Sequence, residues 1–155
     1  MKLNINQKYK ILLSNWEEKE MPLSEILGEN KTILYFYPRD NTPGCTTENK
    51  DFTSLKKDFE ELGYKLVWVS KDSIESHKKF VEKQGLKNDL ISDPELILHK
   101  ELWAYWEKNN YWKIVMWVIR STFIVDKNGE VLKEYRNIRA KGHAERVLKE
   151  IKGEK

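Results

Sequence analysis

The chain of 155 residues contains one cysteine, Cys45, and places it where a thiol becomes reactive. The segment Pro38-Arg39-Asp40-Asn41-Thr42-Pro43-Gly44-Cys45 follows a continuous apolar, β-prone run, Thr32 to Tyr37. Thr42 suits a helix cap, because its hydroxyl can accept from backbone N–H groups that lack helical partners. Pro43 suits the first helical position, where no N–H is needed. Cys45 then falls in the first turn of a helix. There the positive end of the helix dipole and the free N–H groups lower a thiol pKa of about 8.5 towards neutrality. A thiolate is the attacking species, and the end of a central strand is where α/β proteins gather ligand sites. The competing reading is that Cys45 is a small buried hydrophobe, the usual state of a lone cysteine.

The elements that would position this residue follow from apolar periodicity. Tyr9–Ser14 and Glu20–Leu23 read as a hairpin around Asn15-Trp16-Glu17-Glu18, and Ser24–Leu27 as one helical turn ended by Gly28. Thr32–Tyr37 suits a central strand covered on both faces and ended by Pro38. From Pro43 to about Leu62 the pattern turns helical, with Phe52, Leu55, Phe59 and Leu62 on one stripe and Gly63 closing it. Lys65–Ser70 is a second buried strand. Ser73–Gln84 is a helix, with Asp72 as its cap, Glu75 three residues on and Gly85 at the exit. Leu90-Ile91 is a short strand. Thr122–Val125 and Val131–Tyr135 pair about Asp126-Lys127-Asn128-Gly129, and a last helix carries Ala144, Val147, Leu148 and Ile151 on one face. Strands interleaved with helices predict an α/β layered fold, and the late hairpin demands a mixed central sheet with an N-terminal hairpin. That order is what a thioredoxin-like core requires. No internal repeat, low-complexity tract or Pro/Gly/Ser linker interrupts residues 1–155, so one domain is expected.

Composition removes several function classes. The 28 basic and 25 acidic residues leave +3, with the signs mixed, which gives no electrostatic reason to expect nucleic acid or an anionic membrane as partner. The longest apolar stretch, Ile114 to Ile119, is too short to span a bilayer, and no targeting segment is visible. One cysteine excludes an intrachain disulfide and fits a reducing cytoplasm. Cys45-Thr46-Thr47-Glu48 also lacks the second thiol of a Cys-x-x-Cys exchanger. His77, His99 and His143 are scattered without metal-ligand spacing and read as solvated surface residues, so neither a metal nor another cofactor is expected.

The run Tyr35-Phe36-Tyr37-Pro38-Arg39-Asp40-Asn41-Thr42-Pro43-Gly44-Cys45-Thr46-Thr47-Glu48 resembles the active-site segment of the peroxiredoxins. More specifically it resembles the bacterioferritin comigratory protein branch, also called the Q type. Pro38, Thr42 and Cys45 match the family's Pro-x-x-x-Thr-x-x-Cys signature. Leu90-Ile91-Ser92-Asp93-Pro94-Glu95 resembles the branch's middle segment, and Arg120-Ser121-Thr122-Phe123-Ile124-Val125-Asp126 the strand that carries the active-site arginine. The resemblance covers roughly Lys10 to Lys152 and implies a thioredoxin-like fold and a thiol-dependent peroxidase acting on hydrogen peroxide and organic hydroperoxides. It implies that Cys45 attacks a peroxide oxygen and becomes a sulfenic acid. It gives Thr42 the role of orienting the peroxide, and Arg120 that of stabilising the thiolate and the leaving oxygen. Pro38 would shield the site from water, and Glu48 would orient Arg120 or the loop. The same resemblance favours a monomer or a weak homodimer. A reading from another class is a thioredoxin-like binding or holdase protein whose Cys45 is idle.

The chain departs from that branch in three places. Many members carry a resolving cysteine five residues after the peroxidatic one, where this chain has Lys50. The cycle expected is therefore a one-cysteine one, closed by an external thiol: thioredoxin, glutaredoxin or a small thiol. Over-oxidation of Cys45 is then a hazard at high peroxide. The N-terminal Gly-x-x-Ala-Pro-x-Phe stretch of relatives has no counterpart in Asn4-Ile5-Asn6-Gln7-Lys8-Tyr9, which lacks its Pro and Phe. Finally, Trp103, Tyr105, Trp106, Tyr111, Trp112 and Trp117 crowd the segment before Arg120. They read as core and strand packing, or as an apolar wall beside the peroxide entrance or a partner-binding patch, favouring bulky organic hydroperoxides.

Overall fold

Two apolar strands lie side by side at the centre of the molecule: β3 (Lys31–Phe36) and β4 (Tyr64–Ser70), parallel, with Ile33 opposite Leu66 and Phe36 opposite Val69. Both are buried on both faces, as their unbroken apolar sequences require. The computed structural model describes residues 2–13, 15, 17–37, 55–84, 89–102, 104–110, 113–118, 120–135 and 143–153, with the backbone alone at 84, 105–110, 113–118, 152 and 153. The other elements are β1 (Lys8–Leu12), β2 (Glu18–Pro22), α1 (Leu23–Ile26), α2 (described over residues 55–61), α3 (Ile74–Gln84) and β5 (Asp89–Ser92). They are followed by α4 (Ile97–Glu101), β6 (Tyr105–Asn110), β7 (Lys113–Val118), β8 (Ser121–Asp126), β9 (Val131–Tyr135) and α5 (His143–Gly153).

Among the described residues, seven strands form one mixed sheet in the order β2-β1-β5-β4-β3-β8-β9, and β6 and β7 pair separately. β3, β4 and β5 run parallel; β1 and β8 flank them antiparallel. The expected thioredoxin-like α/β sheet and N-terminal hairpin are both present. The hairpin registers Lys8 with Pro22 and Leu12 with Glu18, and it joins the sheet through β5.

Strand alternation divides the core in two. One face buries Leu12, Tyr35, Tyr37, Trp68, Leu90 and Ile124 under Phe59 of α2, Phe80 of α3, and Ala144, Val147, Leu148 and Ile151 of α5. The other buries Ile11, Leu34, Phe36, Val67, Val69 and Phe123 under Leu23 and Ile26 of α1 and Leu98 of α4. Each fully buried side chain of this size contributes roughly 1.5–3 kcal/mol, so the two layers supply the main stabilisation.

Several sequence expectations change here. Leu62, read as the end of the α2 stripe, is 42% exposed, because it lies in the turn that Gly63 closes at φ +84°. A left-handed backbone at that step is natural only for glycine. The cap of α3 is Ser73 rather than Asp72: the Ser76 N–H donates to Ser73 Oγ at 3.2 Å. Asp72 instead accepts from Ser70 Oγ at 3.0 Å, and its carbonyl accepts from Ser92 Oγ at 2.6 Å, which ties the ends of β4 and β5 together. The N-terminal segment that lacks the family's Pro and Phe packs through Leu3 and Tyr9, both 3% exposed. The helix start at Thr42-Pro43 lies outside the described residues, as do Trp103, Tyr111 and Trp112.

Candidate active site

The three parallel strands end on one rim. The Tyr37 N–H donates to the Val69 carbonyl at 3.2 Å, and the Asp93 N–H to the Ser70 carbonyl at 2.8 Å, so the exits of β3, β4 and β5 lie in step. From this rim the chain leaves β3 at Tyr37 towards residues 38–54, and it returns on α2 with Leu55 and Phe59 in the same cluster as Tyr35 and Tyr37. Of the sequence-predicted site residues, Pro38, Thr42, Cys45 and Glu48 lie outside the described residues. Arg120 lies inside them.

Arg120 is half-buried and immediately precedes β8. Because Ser121 pairs with Phe36, Arg120 lies one residue beyond the last pair of the antiparallel register, at the same end of the sheet as Tyr37. The arginine thus stands at the point where the Cys45 segment leaves the sheet. Two residues on, Thr122 pairs with Tyr35 and belongs to the face that α2, α3 and α5 cover.

α5 brings a second group to this corner. His143, the first residue of α5, is 1% exposed, and its Nε2 lies 2.8 Å from Thr122 Oγ1. Burial, the Arg146 charge and, more weakly, the Arg120 guanidinium push its pKa down to about 4, against an opposing pull from Glu150. The imidazole is therefore neutral at ordinary pH, and Arg120 keeps a polar but uncharged neighbour. The edge of the Tyr135 ring meets His143 at 5.7 Å. The Tyr135 hydroxyl donates to Glu150, which also pairs with Lys133 at 3.6 Å. Burial and that hydrogen bond push the Tyr135 hydroxyl up to about 12, while the same bond draws the Glu150 carboxyl below its ordinary value.

On the opposite face of the sheet lies a buried polar pair. The Asp93 carboxylate, 2% exposed, accepts from the backbone N–H groups of Ile97, Leu98 and His99 at 2.9, 3.0 and 3.1 Å. It also accepts from His99 Nδ1 at 2.7 Å. One carboxylate thereby caps α4 and fixes its histidine. Tyr9 lies near enough that burial first, then Glu101 and Asp93, drive its hydroxyl pKa well upward.

The expectation that the three histidines are solvated is overturned, since His77, His99 and His143 are 0%, 0% and 1% exposed. Each is buried because it has a specific partner. For His77 that partner is the Ile91 carbonyl, 3.1 Å from Nε2; a carbonyl only accepts, so this nitrogen carries the proton. Sequence reasoning missed His143 and Thr122 as neighbours of Arg120. A signal existed: His143 begins the stripe Ala144, Val147, Leu148, Ile151, and His77 continues the helical spacing of Ile74, Phe80 and Val81.

This geometry can be set beside known proteins. The pattern that defines the AhpC/TSA family matches residues 5–134. The chain belongs to that family. Peroxiredoxin Bcp of Bacillus subtilis is 40% identical over 98% of this chain and 97% of its own length. Peroxiredoxin Bcp of Xanthomonas campestris is 42% identical over 77% of this chain and 75% of its own length. A solved structure of the Xanthomonas campestris bacterioferritin comigratory protein, studied for alkyl peroxide reduction, superposes with a TM-score of 0.85 at 35% identity. It covers 97% of this chain and 92% of that one. Within the family the chain is a peroxiredoxin of the Bcp/PrxQ type, a thiol-dependent peroxidase: its substrate is a peroxide and its reductant a thiol. The idle-cysteine reading falls with that membership. Among the described residues no helix is long and apolar enough to cross a membrane.

Proposed function

We propose that Cys45 is the peroxidatic thiolate, that Thr42 orients the peroxide, and that Arg120 stabilises the charge on both reacting partners. The observation that carries this reading is the pairing of Ser121 with Phe36, which sets Arg120 one residue on, at the end of β3 from which the segment bearing Pro38, Thr42 and Cys45 departs. The Cys45 sulfur attacks the distal peroxide oxygen, the O–O bond breaks, and the alcohol or water leaves with one proton, so that Cys45 becomes a sulfenic acid. A fixed guanidinium favours the ionised thiol first and the departing oxygen next, without reorganising during the step. Pro38 keeps water from the sulfur, and Glu48 orients Arg120 or the loop.

The substrates proposed are hydrogen peroxide and organic hydroperoxides, the latter supported by the alkyl peroxide reduction for which the Xanthomonas relative was studied. With Cys45 the chain's one cysteine, no second thiol of the same chain can resolve the sulfenic acid. The cycle closes with an external thiol: thioredoxin, glutaredoxin or a small thiol. We further propose that residues 1–155 form one domain acting as a monomer or weak homodimer in the cytoplasm; the single sheet running from β1 to β9 supports the first part.

The test is to trap sulfenic acid after one equivalent of hydrogen peroxide in the wild type and in Cys45→Ser, alongside peroxide turnover with a thiol. The wild type should trap stoichiometrically and turn over, and the variant should do neither. Turnover surviving in Cys45→Ser would overturn the assignment.

A further inference from the structure

We propose that the groove between α3 and the β1–β2 hairpin binds the reductant of Cys45, and that this reductant is a small zwitterionic thiol of amino-acid to tripeptide size. The inference rests on the reading of Cys45 given above and supplies the partner that reading requires.

The groove has a volume of about 600 Å³. That lies within the range of roughly 300–1,000 Å³ usual for small-molecule sites. Its walls carry Lys10, Glu20, Lys71 and Glu75, with Ser92 at the base. Its other charged residues are already engaged, Glu18 with Lys78 and Lys19 with Glu17. Among the described residues, Lys10, Lys71, Glu20 and Glu75 have no ion-pair partner. Two ammonium groups and two carboxylates thus line one concavity, without the partners that would make them merely structural. A ligand carrying both carboxylate and ammonium groups satisfies them together, whereas a neutral thiol or a simple anion satisfies one sign only.

Topology sets this groove on the rim at which β3, β4 and β5 end. Lys10 pairs with Glu20 on one side and Ser92 on the other, so the three form a row across β2, β1 and β5. Lys10 and Ser92 stand two residues from Leu12 and Leu90, and so share their face of the sheet, that of the cluster of Tyr35, Tyr37 and Phe80. The row therefore faces the same side of the sheet as Arg120's neighbour Thr122 and α2. Lys71 directly follows β4, the parallel neighbour of β3, and Phe36 pairs with Val69. One interstrand spacing, about 4.8 Å, separates that wall from the exit of β3, and about 14 Å separates Lys10 from it. A tripeptide extends about 10 Å, which matches the two interstrand spacings between Lys10 and Lys71, so a thiol held there by its charged ends lies along the rim one spacing from the exit of β3.

The chemistry balances with two thiols. The first attacks the sulfur of the Cys45 sulfenic acid: the S–O bond breaks, an S–S bond forms, and water leaves with the thiol's proton. The second thiolate attacks the thiol-derived sulfur of that mixed disulfide, releasing Cys45 as thiolate and the small thiol as its disulfide. Two electrons pass from two thiols, matching the two that Cys45 gave to the peroxide.

The test measures turnover of the full chain at saturating hydrogen peroxide, with glutathione as the zwitterionic probe and 2-mercaptoethanol as the uncharged one. Lys71→Glu and Lys10→Glu should each lower the glutathione-to-2-mercaptoethanol rate ratio about tenfold, and the effect should shrink in high salt, which screens exposed charges. Lys149→Glu, the same charge change on the exposed face of α5, should leave the ratio within twofold. An unchanged ratio in both groove variants would overturn the proposal. So would thioredoxin regenerating the wild type a hundredfold faster than glutathione. Sulfenic acid trapping in a single turnover separates the two readings. If the wild type forms none, the assignment of Cys45 fails; if it forms and the ratio does not move, only the groove fails.

Discussion

On the face covered by α1 and α4, His99 Nδ1–H donates a hydrogen bond to the Asp93 carboxylate, which also holds three backbone N–H groups of α4. On the face covered by α2, α3 and α5, His143 meets a neutral hydroxyl on Thr122 and has the guanidinium of Arg120 nearby. Both rings are buried to the same degree. What separates them is the charge of the surroundings. Next to a carboxylate the ring is an architectural bolt; next to two arginines it is a spacer that has to stay uncharged. Burial alone therefore says nothing about which histidine matters to chemistry, and the partner atom decides.

The most severe break of this contrast is Asp93→Ala. It orphans three helix N–H groups and a buried imidazole, and should cost roughly 3–5 kcal/mol, read from the urea midpoint. The folded fraction should keep its peroxide rate within a few-fold. Arg120→Gln should do the reverse. The second-order rate with hydrogen peroxide should fall about 10²–10³-fold, as when a preorganised charge-stabilising donor is lost, while the urea midpoint barely moves. If the two variants gave the same kind of defect, the contrast between the faces would collapse.

His143 sharpens the comparison through pH. Its folded pKa of about 4 lies below the ordinary value of 6.5, so between those values the unfolded chain binds a proton that the folded chain refuses. Stability is then fully present above pH 6.5 and is lost as pH falls towards 4, by up to about 3 kcal/mol. His143→Gln keeps a group able to bond Thr122 and should flatten that acid slope in denaturation curves taken from pH 7 to 4. The mildest change, Thr122→Val, removes one side of the bond and should cost about 1 kcal/mol. Its peroxide rate should fall far less than that of Arg120→Gln.

The legible parts of the molecule were those in which a single short segment carries its own signal. Thr32–Tyr37 and Lys65–Ser70 could only be buried strands, and Ala144, Val147, Leu148 and Ile151 could only be one helix face; all are as read. Asp126-Lys127-Asn128-Gly129 forms the expected turn, with Asp126 Oδ1 accepting from Asn128 and Glu130. α4 went unread because Ile97–Glu101 is too short for a helical period, and its cap, Asp93, sits outside the usual capping position. The β6–β7 pair went unread because aromatics mixed with Lys, Glu and Asn give no clean alternation. At the site, the motif named Arg120, but nothing in one sequence could say that Thr122 and His143, far apart along the chain, would meet beside it.

The far end of the sheet from the rim is tied by the N-terminal segment. The Leu3 N–H donates to the Gly129 carbonyl at 2.8 Å, Lys2 bridges Glu130, and a Cβ on Gly129 would stand 2.7 Å from Ile5 Cγ2. Since β8 runs from the rim at Ser121 to the opposite end at Asp126, this clasp lies a full strand length from the exit of β3. A linker attached before Lys2 would consequently leave from the base of the molecule. Anchored to a bead or an electrode by that linker, the protein would stand with its rim and groove outward, towards whatever peroxide and thiol flow past.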